Sequence, residues 1–268
     1  MTSHENDAAD TGVLGPRDRP AFAHIEAARD RIRPFVHRTP VLTCRTLDRL
    51  SGVRLFLKAE NFQRVGAFKF RGATNAVRGL SEEEARRGVA THSSGNHAQA
   101  LALAAQERGI QAHIVMPSNA PAAKRAAVEG YGGRITPCEA DLASREAALA
   151  RVIAATGAVP IHPFDDGRVI AGQGTAALEL LEDVPDLDAV IAPVGGGGLL
   201  SGTAIACHGV RRSVRVFGAE PELADDAFRS LREGRRLGPR PPLTVADGLL
   251  YCLDAPWSAA GTAWTLFE

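Results

Sequence analysis

The sequence predicts an α/β fold built on open, parallel sheets. Two observations carry that expectation. From Gly88 onward, strand-like segments alternate with longer helical ones, the spacing of βαβ units. Glycines follow the helical segments at positions where they would end them. At 268 residues, 45% apolar and 23% charged, the chain suits one large globular unit or two smaller ones.

Residues 1–20 are polar and rich in Asp, Gly and Pro, which reads as a disordered arm without the apolar core of a secretion signal. Residues 21–36 read as an amphipathic helix and 54–58 as a short strand. Strands at 88–92, 111–116, 134–137 and 159–162 then alternate with helices at 98–108, 122–129 and 143–155. Gly109, Gly130 and Gly157 would stop those helices. A helix covers 174–182. Strands at 189–194 and 214–218 flank a helix at 199–207 that Gly209 would stop, and a last helix runs over 224–232.

Formal net charge is zero, so there is no electrostatic case for nucleic acid or an anionic membrane. No stretch approaches the ~20 apolar residues that span a bilayer. Cys44, Cys138, Cys207 and Cys252 show no Cys-x-x-Cys spacing and read as reduced packing residues of a cytoplasmic protein. No His or Cys cluster has the spacing of a zinc site.

In parallel sheets, ligands sit outside the carboxyl ends of the strands. Three constellations matter there. The first is Lys69, in Gly66-Ala67-Phe68-Lys69-Phe70-Arg71. The chain has only three lysines against 28 arginines. An ammonium held between phenylalanine rings loses solvation, and the neutral amine becomes accessible. That amine can attack a carbonyl to form a Schiff base, which arginine cannot. The alternative is a snorkelling lysine whose stem covers a ring. The second is the loop Thr91-His92-Ser93-Ser94-Gly95-Asn96-His97, which opens a helix and could receive a carboxylate, or be a plain N-cap. It is not a nucleophile elbow, because Thr91 stands where glycine is needed. The third is Gly195-Gly196-Gly197-Gly198-Leu199, between a strand and a helix, which could cradle a phosphate or act as a hinge. No G-x-G-x-x-G register fits this stretch, and no Gly-Lys pair exists for a P-loop. An amine, a carboxylate loop and a phosphate loop together describe a pyridoxal phosphate site.

These segments, with Lys58-Ala59-Glu60-Asn61-Phe62-Gln63, His162-Pro163-Phe164, Ala171-Gly172-Gln173-Gly174-Thr175, Glu220-Pro221 and Ala246-Asp247-Gly248, resemble the serine/threonine dehydratase and serine racemase family. Those are pyridoxal-phosphate enzymes of the tryptophan-synthase-β fold type. The resemblance runs from about Arg38 to Leu249. It implies a two-domain open-sheet fold, with a large domain of 21–80 plus 159–268, a small domain of 81–158, and a site between them. It implies that Lys69 forms the Schiff base and serves as the acid/base at Cα. Phe68 would pack beside the cofactor ring, Asn96 would bond its hydroxyl, and Gly195 to Leu199 would hold its phosphate. Ser93, Ser94, Gly95 and His97 would receive the substrate carboxylate. Ser94 would work on the opposite face of Cα, as in racemases, and Arg145 would stand near the substrate entrance. Glu220, the Ala224 carbonyl and Asp226 would ligate Mg²⁺, or Ca²⁺ or Mn²⁺, the alternative being an acidic cap on the following helix. A homodimer is implied by the resemblance alone.

Two departures stand out. Ala67 replaces the Ser or Thr common in the family. Residues 250–268, which hold Trp257 and Trp264, diverge from its C-terminal pattern, so the C-terminal part reads as incomplete and the family's ring-nitrogen partner has no counterpart among Ser258, Thr262 and Thr265. The function implied is ammonia-releasing β-elimination from L-threonine or L-serine. Serine racemisation and hydroxyaspartate dehydration are the alternatives, and a cofactor-binding relic without turnover is a third.

Overall fold

The computed structural model describes residues 14–238 and 244–249. The N-terminal part comprises α1 (Phe22–Ile32), β1 (Val41–Thr43), α2 (Arg45–Ser51) and β2 (Phe56–Lys58). The strand expected at 54–58 is therefore present, but it pairs antiparallel with β1, Leu42 opposite Leu57. Next come α3 (Lys69–Arg78) and α4 (Glu82–Arg87), absent from the sequence expectation. Helix α4 is set by a capping box: Ser81 Oγ accepts the Glu84 N–H, and the Glu84 carboxylate accepts the Ser81 N–H.

The alternating region follows as expected: β3 (Val89–His92), α5 (Asn96–Arg108), β4 (Ala112–Pro117), α6 (Ala122–Gly130), β5 (Arg134–Cys138), α7 (Leu142–Thr156) and β6 (Val159–Pro160). The remainder is α8 (Gly167–Asp183), β7 (Ala189–Pro193), α9 (Gly198–Val210), β8 (Arg215–Ala219) and α10 (Asp226–Glu233). Gly109 and Gly157 end their helices in the left-handed conformation. Gly130 and Gly209 do not, for both lie inside helices. Gly209 is needed for packing instead, since a Cβ there would fall 2.1 Å from the Phe22 ring. Residues 14–20 lie against the start of α8, where Pro16 O accepts the Gly167 N–H at 3.0 Å. Residues 1–13 of the expected arm, and the divergent stretch 250–268, lie outside the described residues.

The main sheet is parallel, in the order β5-β4-β3-β6. β3 is buried from Val89 to Thr91 and β4 from Ile114 to Pro117, the run-on burial of strands covered on both faces. The chain steps from β3 outward to β4 and β5, then returns to the other side of β3. Strand order thus reverses between β3 and β6, and a crevice opens at the carboxyl ends of such a pair. The loops it exposes are 93–95 and 161–166. A second parallel pair, β7 and β8, carries the glycine run at the end of β7.

Helix α8 ties these parts together. It is buried from Gly167 to Leu181, with Val169 in the core under the main sheet and Leu178 and Leu181 in the core under β7 and β8. Two glycine crossings fix its neighbours. A Cβ on Gly172 would lie 2.6 Å from Gly72 Cα in α3, and a Cβ on Gly202 in α9 would lie 2.7 Å from Gly174 N. So α3, which begins at Lys69, and α9, which begins at the glycine run, are both locked to one helix two residues apart. Beneath Lys69, the fully buried Arg71 donates to Glu60 at 2.8 and 2.9 Å and to both oxygens of Glu179 at 2.8 Å. Lys58 completes the cluster with a 2.7 Å bond to Glu179. Two cations face two carboxylates, which is what allows the charges to be buried.

Candidate active site

Lys69 opens α3, and its partly buried side chain turns into the crevice. Nζ donates to Pro163 O at 2.7 Å. Burial pushes its pKa down from 10.5 to about 8. The rings flanking the amine are Phe68 at 5.3 Å and Phe164 at 5.9 Å. Phe70, the second ring expected from the sequence, instead points into the core, with the Arg64 guanidinium 4.9 Å from its centre. Successive helical residues point about 100° apart, so Phe-Lys-Phe cannot clamp its own lysine once α3 forms.

The 93–95 loop ends at the N-terminus of α5. The N–H groups of Asn96, His97 and Ala98 find no acceptor among the described residues, as expected of a first helical turn. Ser93 is buried, and its hydroxyl accepts the Gly95 N–H at 3.3 Å. Ser94 and Gly95 are partly buried and Asn96 is exposed at the rim. The His97 imidazole departs from expectation, because it faces the interior: Nε2 donates to Ile161 O at 3.3 Å, and Nδ1 is buried without a partner among the described residues. Burial first, then the Lys69 charge, holds its pKa well below 6.5, so it stays neutral. His92 and His162 lie edge to face at 5.9 Å, and His162 meets Phe164 the same way at 4.6 Å. His162 Nδ1 accepts the Asp165 N–H at 2.8 Å, which fixes the bend after β6.

The glycine run opens α9. The N–H groups from Gly195 to Leu199 find no acceptor among the described residues, and the helix dipole adds positive potential there. Gly197 adopts φ +88°, which only glycine holds without strain. Gly196 and Gly198 are demanded by Phe164: added Cβ atoms would fall 2.2 Å from its ring and 2.6 Å from its carbonyl oxygen. Phe164 therefore links Lys69 to the glycine run. The sequence singles it out only within the His162-Pro163-Phe164 match; its place just past β6, at the sheet's reversal, was the available signal.

Two expected groups are not brought to Lys69 by any contact among the described residues. Arg145 lies on α7 beside Cys138 and Asp141, with Nε buried and without a partner among the described residues. Glu220 caps α10, its carboxylate accepting the Ala227 and Phe228 N–H groups at 3.1 and 2.8 Å. These are the contacts that the acidic-cap alternative expects. Burial, then Asp226 and Asp225, pushes the Glu220 pKa up. Among the described residues no three His, Cys, Asp or Glu side chains form a metal cluster.

A buried amine of lowered pKa, bridged by one ring to a row of unpaired helix-terminal amides, suits an aldehyde carrying a phosphate. Comparisons with known proteins agree. The beta-hydroxyaspartate dehydratase of Paracoccus denitrificans (strain Pd 1222) is 53% identical over 239 residues, 89% of this chain and 76% of that one. The structure of maize serine racemase superposes with a TM-score of 0.90 at 46% identity, covering 94% of this chain and 76% of that one. The threonine deaminase of T.th. superposes with a TM-score of 0.87 at 43% identity, covering 93% and 80%. The family described as "Pyridoxal-phosphate dependent enzyme" matches residues 32–257, nearly all of the described fold, and the chain belongs to it.

Proposed function

We propose that this chain dehydrates a small β-hydroxy amino acid, L-threonine or L-serine, to a 2-oxo acid and ammonia, with pyridoxal 5'-phosphate joined to Lys69. When bound, the cofactor supplies an aldehyde that condenses with amines and a ring that draws off the electron pair left at Cα. The residues supply the rest. The Lys69 amine, when free, would accept the Cα proton; a pKa of about 8 leaves much of it neutral at mildly alkaline pH. Ser93, Ser94, Gly95 and the first amides of α5, His97 included, bind the substrate carboxylate. Asn96 meets the cofactor's ring hydroxyl, and the amides of Gly195 to Leu199 hold its phosphate. Phe68 and Phe164 exclude water from the amine. The β-hydroxyl departs with a proton as water, and the enamine product takes up water to give 2-oxo acid and ammonia. In this reading residues 81–158 close on the rest of the chain over the substrate, Arg145 approaching as they do. The protein works as a cytoplasmic homodimer, with Mg²⁺, Ca²⁺ or Mn²⁺ held by Glu220, the Ala224 carbonyl and Asp226.

The observation that carries the reading is the Lys69 amine itself, 2.7 Å from Pro163 O and depressed by burial. Serine racemisation is the second reading, supported by the partly buried Ser94 at the mouth of α5 and by the racemase similarity. Hydroxyaspartate dehydration is the same chemistry on a diacid, and the dehydratase similarity supports it. The test is incubation with L-threonine, L-serine and threo-3-hydroxyaspartate, with ammonia, 2-oxo acid and serine chirality measured. Release of ammonia, lost in Lys69→Ala, supports the proposal. Visible cofactor absorbance without ammonia from any substrate would leave a binding protein and defeat it.

A further inference from the structure

We propose that Phe164 is a positioning residue of this site: its ring wedges the glycine run against the Lys69 pocket and keeps water from the amine. The inference rests on the reading of Lys69 as an imine-forming amine.

Four approaches converge on this residue. Its ring centre lies 5.9 Å from Lys69 Nζ, and the preceding carbonyl, Pro163 O, accepts the Nζ hydrogen at 2.7 Å. The ring lies so close to Gly196 that an added Cβ would be 2.2 Å away. The backbone of Phe164 closes on Gly198 in the same way, at 2.6 Å. The His162 ring braces it from behind at 4.6 Å, while His162 Nδ1 holds the bend through the Asp165 N–H. Phe164 is 9% exposed, so the wedge is seated.

No carboxylate among the described residues pairs with the Lys69 amine, and burial alone accounts for its depression. The titratable groups around it are imidazoles: His97 from α5, His92 at the end of β3 and His162 after β6. His97 is held neutral, and His162 presents its unprotonated Nδ1 to the backbone. A ring that excludes water is therefore the main control over the amine. The rings available are Phe68 and Phe164, and Phe164 also closes on Gly196 and Gly198 at the start of α9.

The test uses the full chain without cofactor, so imine formation plays no part in the readout. The Lys69 amine is acylated with a small anhydride across pH, and its modification is read by peptide mass analysis in wild type, Phe164→Leu and Phe164→Ala. The wild-type midpoint should lie near pH 8. In Phe164→Ala it should rise by about one unit or more, a roughly fivefold or larger fall in the reactive fraction at pH 8, while Phe164→Leu shifts less. Inorganic phosphate protection of the glycine run against amide hydrogen exchange should weaken in the same order. A second variant pair checks the wedge: Gly196→Ala should disrupt the wild-type site and be tolerated in Phe164→Ala. Folded variants with an unchanged midpoint would overturn the proposal, as would failure of both substitutions to fold, which makes Phe164 a core residue only. Failure of wild type to form an imine, with the midpoint shifting as expected, would instead overturn the functional reading and with it the role of Phe164 at an imine-forming site, leaving the packing contact alone.

Discussion

Glu179→Gln tests how the site is anchored. Glu179 sits on α8, 7% exposed, and its carboxylate takes Arg71 on one side and Lys58 on the other. Burial opposes its charge, but these two cations outweigh burial and hold its pKa below the usual range. Glutamine keeps the shape and removes the charge. Arg71 then keeps only Glu60, and Lys58 is left buried without a carboxylate partner among the described residues. Removing one partner of a buried pair costs about 3–5 kcal/mol. For a chain of 268 residues that is a fall of about 5–9 °C in Tm. Because the pair is buried, the loss should persist in 1 M NaCl. Arg38→Ala, which removes the half-exposed pairs to Glu182 and Asp183, should cost within about 1 kcal/mol, and salt should erase it.

The pH dependence follows from the direction of the shift. A carboxyl with a lowered folded pKa contributes stability that is complete above its unfolded value, about 4.3. That contribution drains away as pH falls through the folded value. Wild type should therefore lose stability below about pH 4 more steeply than Glu179→Gln. Thermal unfolding followed by circular dichroism, at pH 7 and at about pH 3, reads both effects. A loss under 1 kcal/mol at pH 7, or parallel acid profiles, would refute the claim that this cluster anchors α3.

Gly172→Ala should destabilise by about 1–3 kcal/mol or more, because the new methyl meets Gly72 Cα at 2.6 Å and Arg71 O at 2.8 Å, backbone that cannot move aside. Gly130→Ala, whose methyl meets nothing within 4 Å in α6, should instead gain up to about 1 kcal/mol in the same unfolding assay. The rate at which the protein takes up pyridoxal 5'-phosphate, followed by visible absorbance, should rise with pH and be half-maximal near pH 8, not near 10.5, because the neutral Lys69 amine is the reactive form. Saturating Mg²⁺, at about a hundred times its Kd, should stabilise wild type by about 2.7 kcal/mol and leave Glu220→Gln unmoved, which differential scanning fluorimetry measures.

The alternating half of the fold was legible because its signals are local. Strands β3, β4, β5, β7 and β8 and the helices between them carry their own periodicity, and Gly109 and Gly157 mark true ends. Helix α3 was not legible, although it carries Lys69. Its N-cap is Phe68, in a helical conformation with no side-chain cap, so no start signal exists. Its residues do sort into two faces, Phe70, Ala73 and Val77 on one and Arg71 and Asn75 on the other, but both are buried, so the polar face does not mark a solvent side. Its polar residues are satisfied by partners remote in sequence: Arg71 by Glu179, 108 residues away, and Asn75 by the Arg168 carbonyl, 93 away. Local reading sees an arginine and an asparagine; only the assembled fold shows why they are tolerated.

The four glycines carry the sharper lesson. A phosphate reading takes each as room for a ligand, yet three have reasons inside the chain: Phe164 excludes side chains at Gly196 and Gly198, and φ +88° requires glycine at Gly197. Gly195 alone has space for a side chain, its nearest neighbour to an added Cβ being Gly248 O at 3.5 Å. The glycine count therefore says little about an anion. What points to one is the row of N–H groups that no described residue satisfies, set at the positive end of α9. Such amides exist at any helix start, but here Phe164 lies against both the glycine run and the Lys69 amine, and it is that meeting of two elements, not the glycine run by itself, that argues for a site.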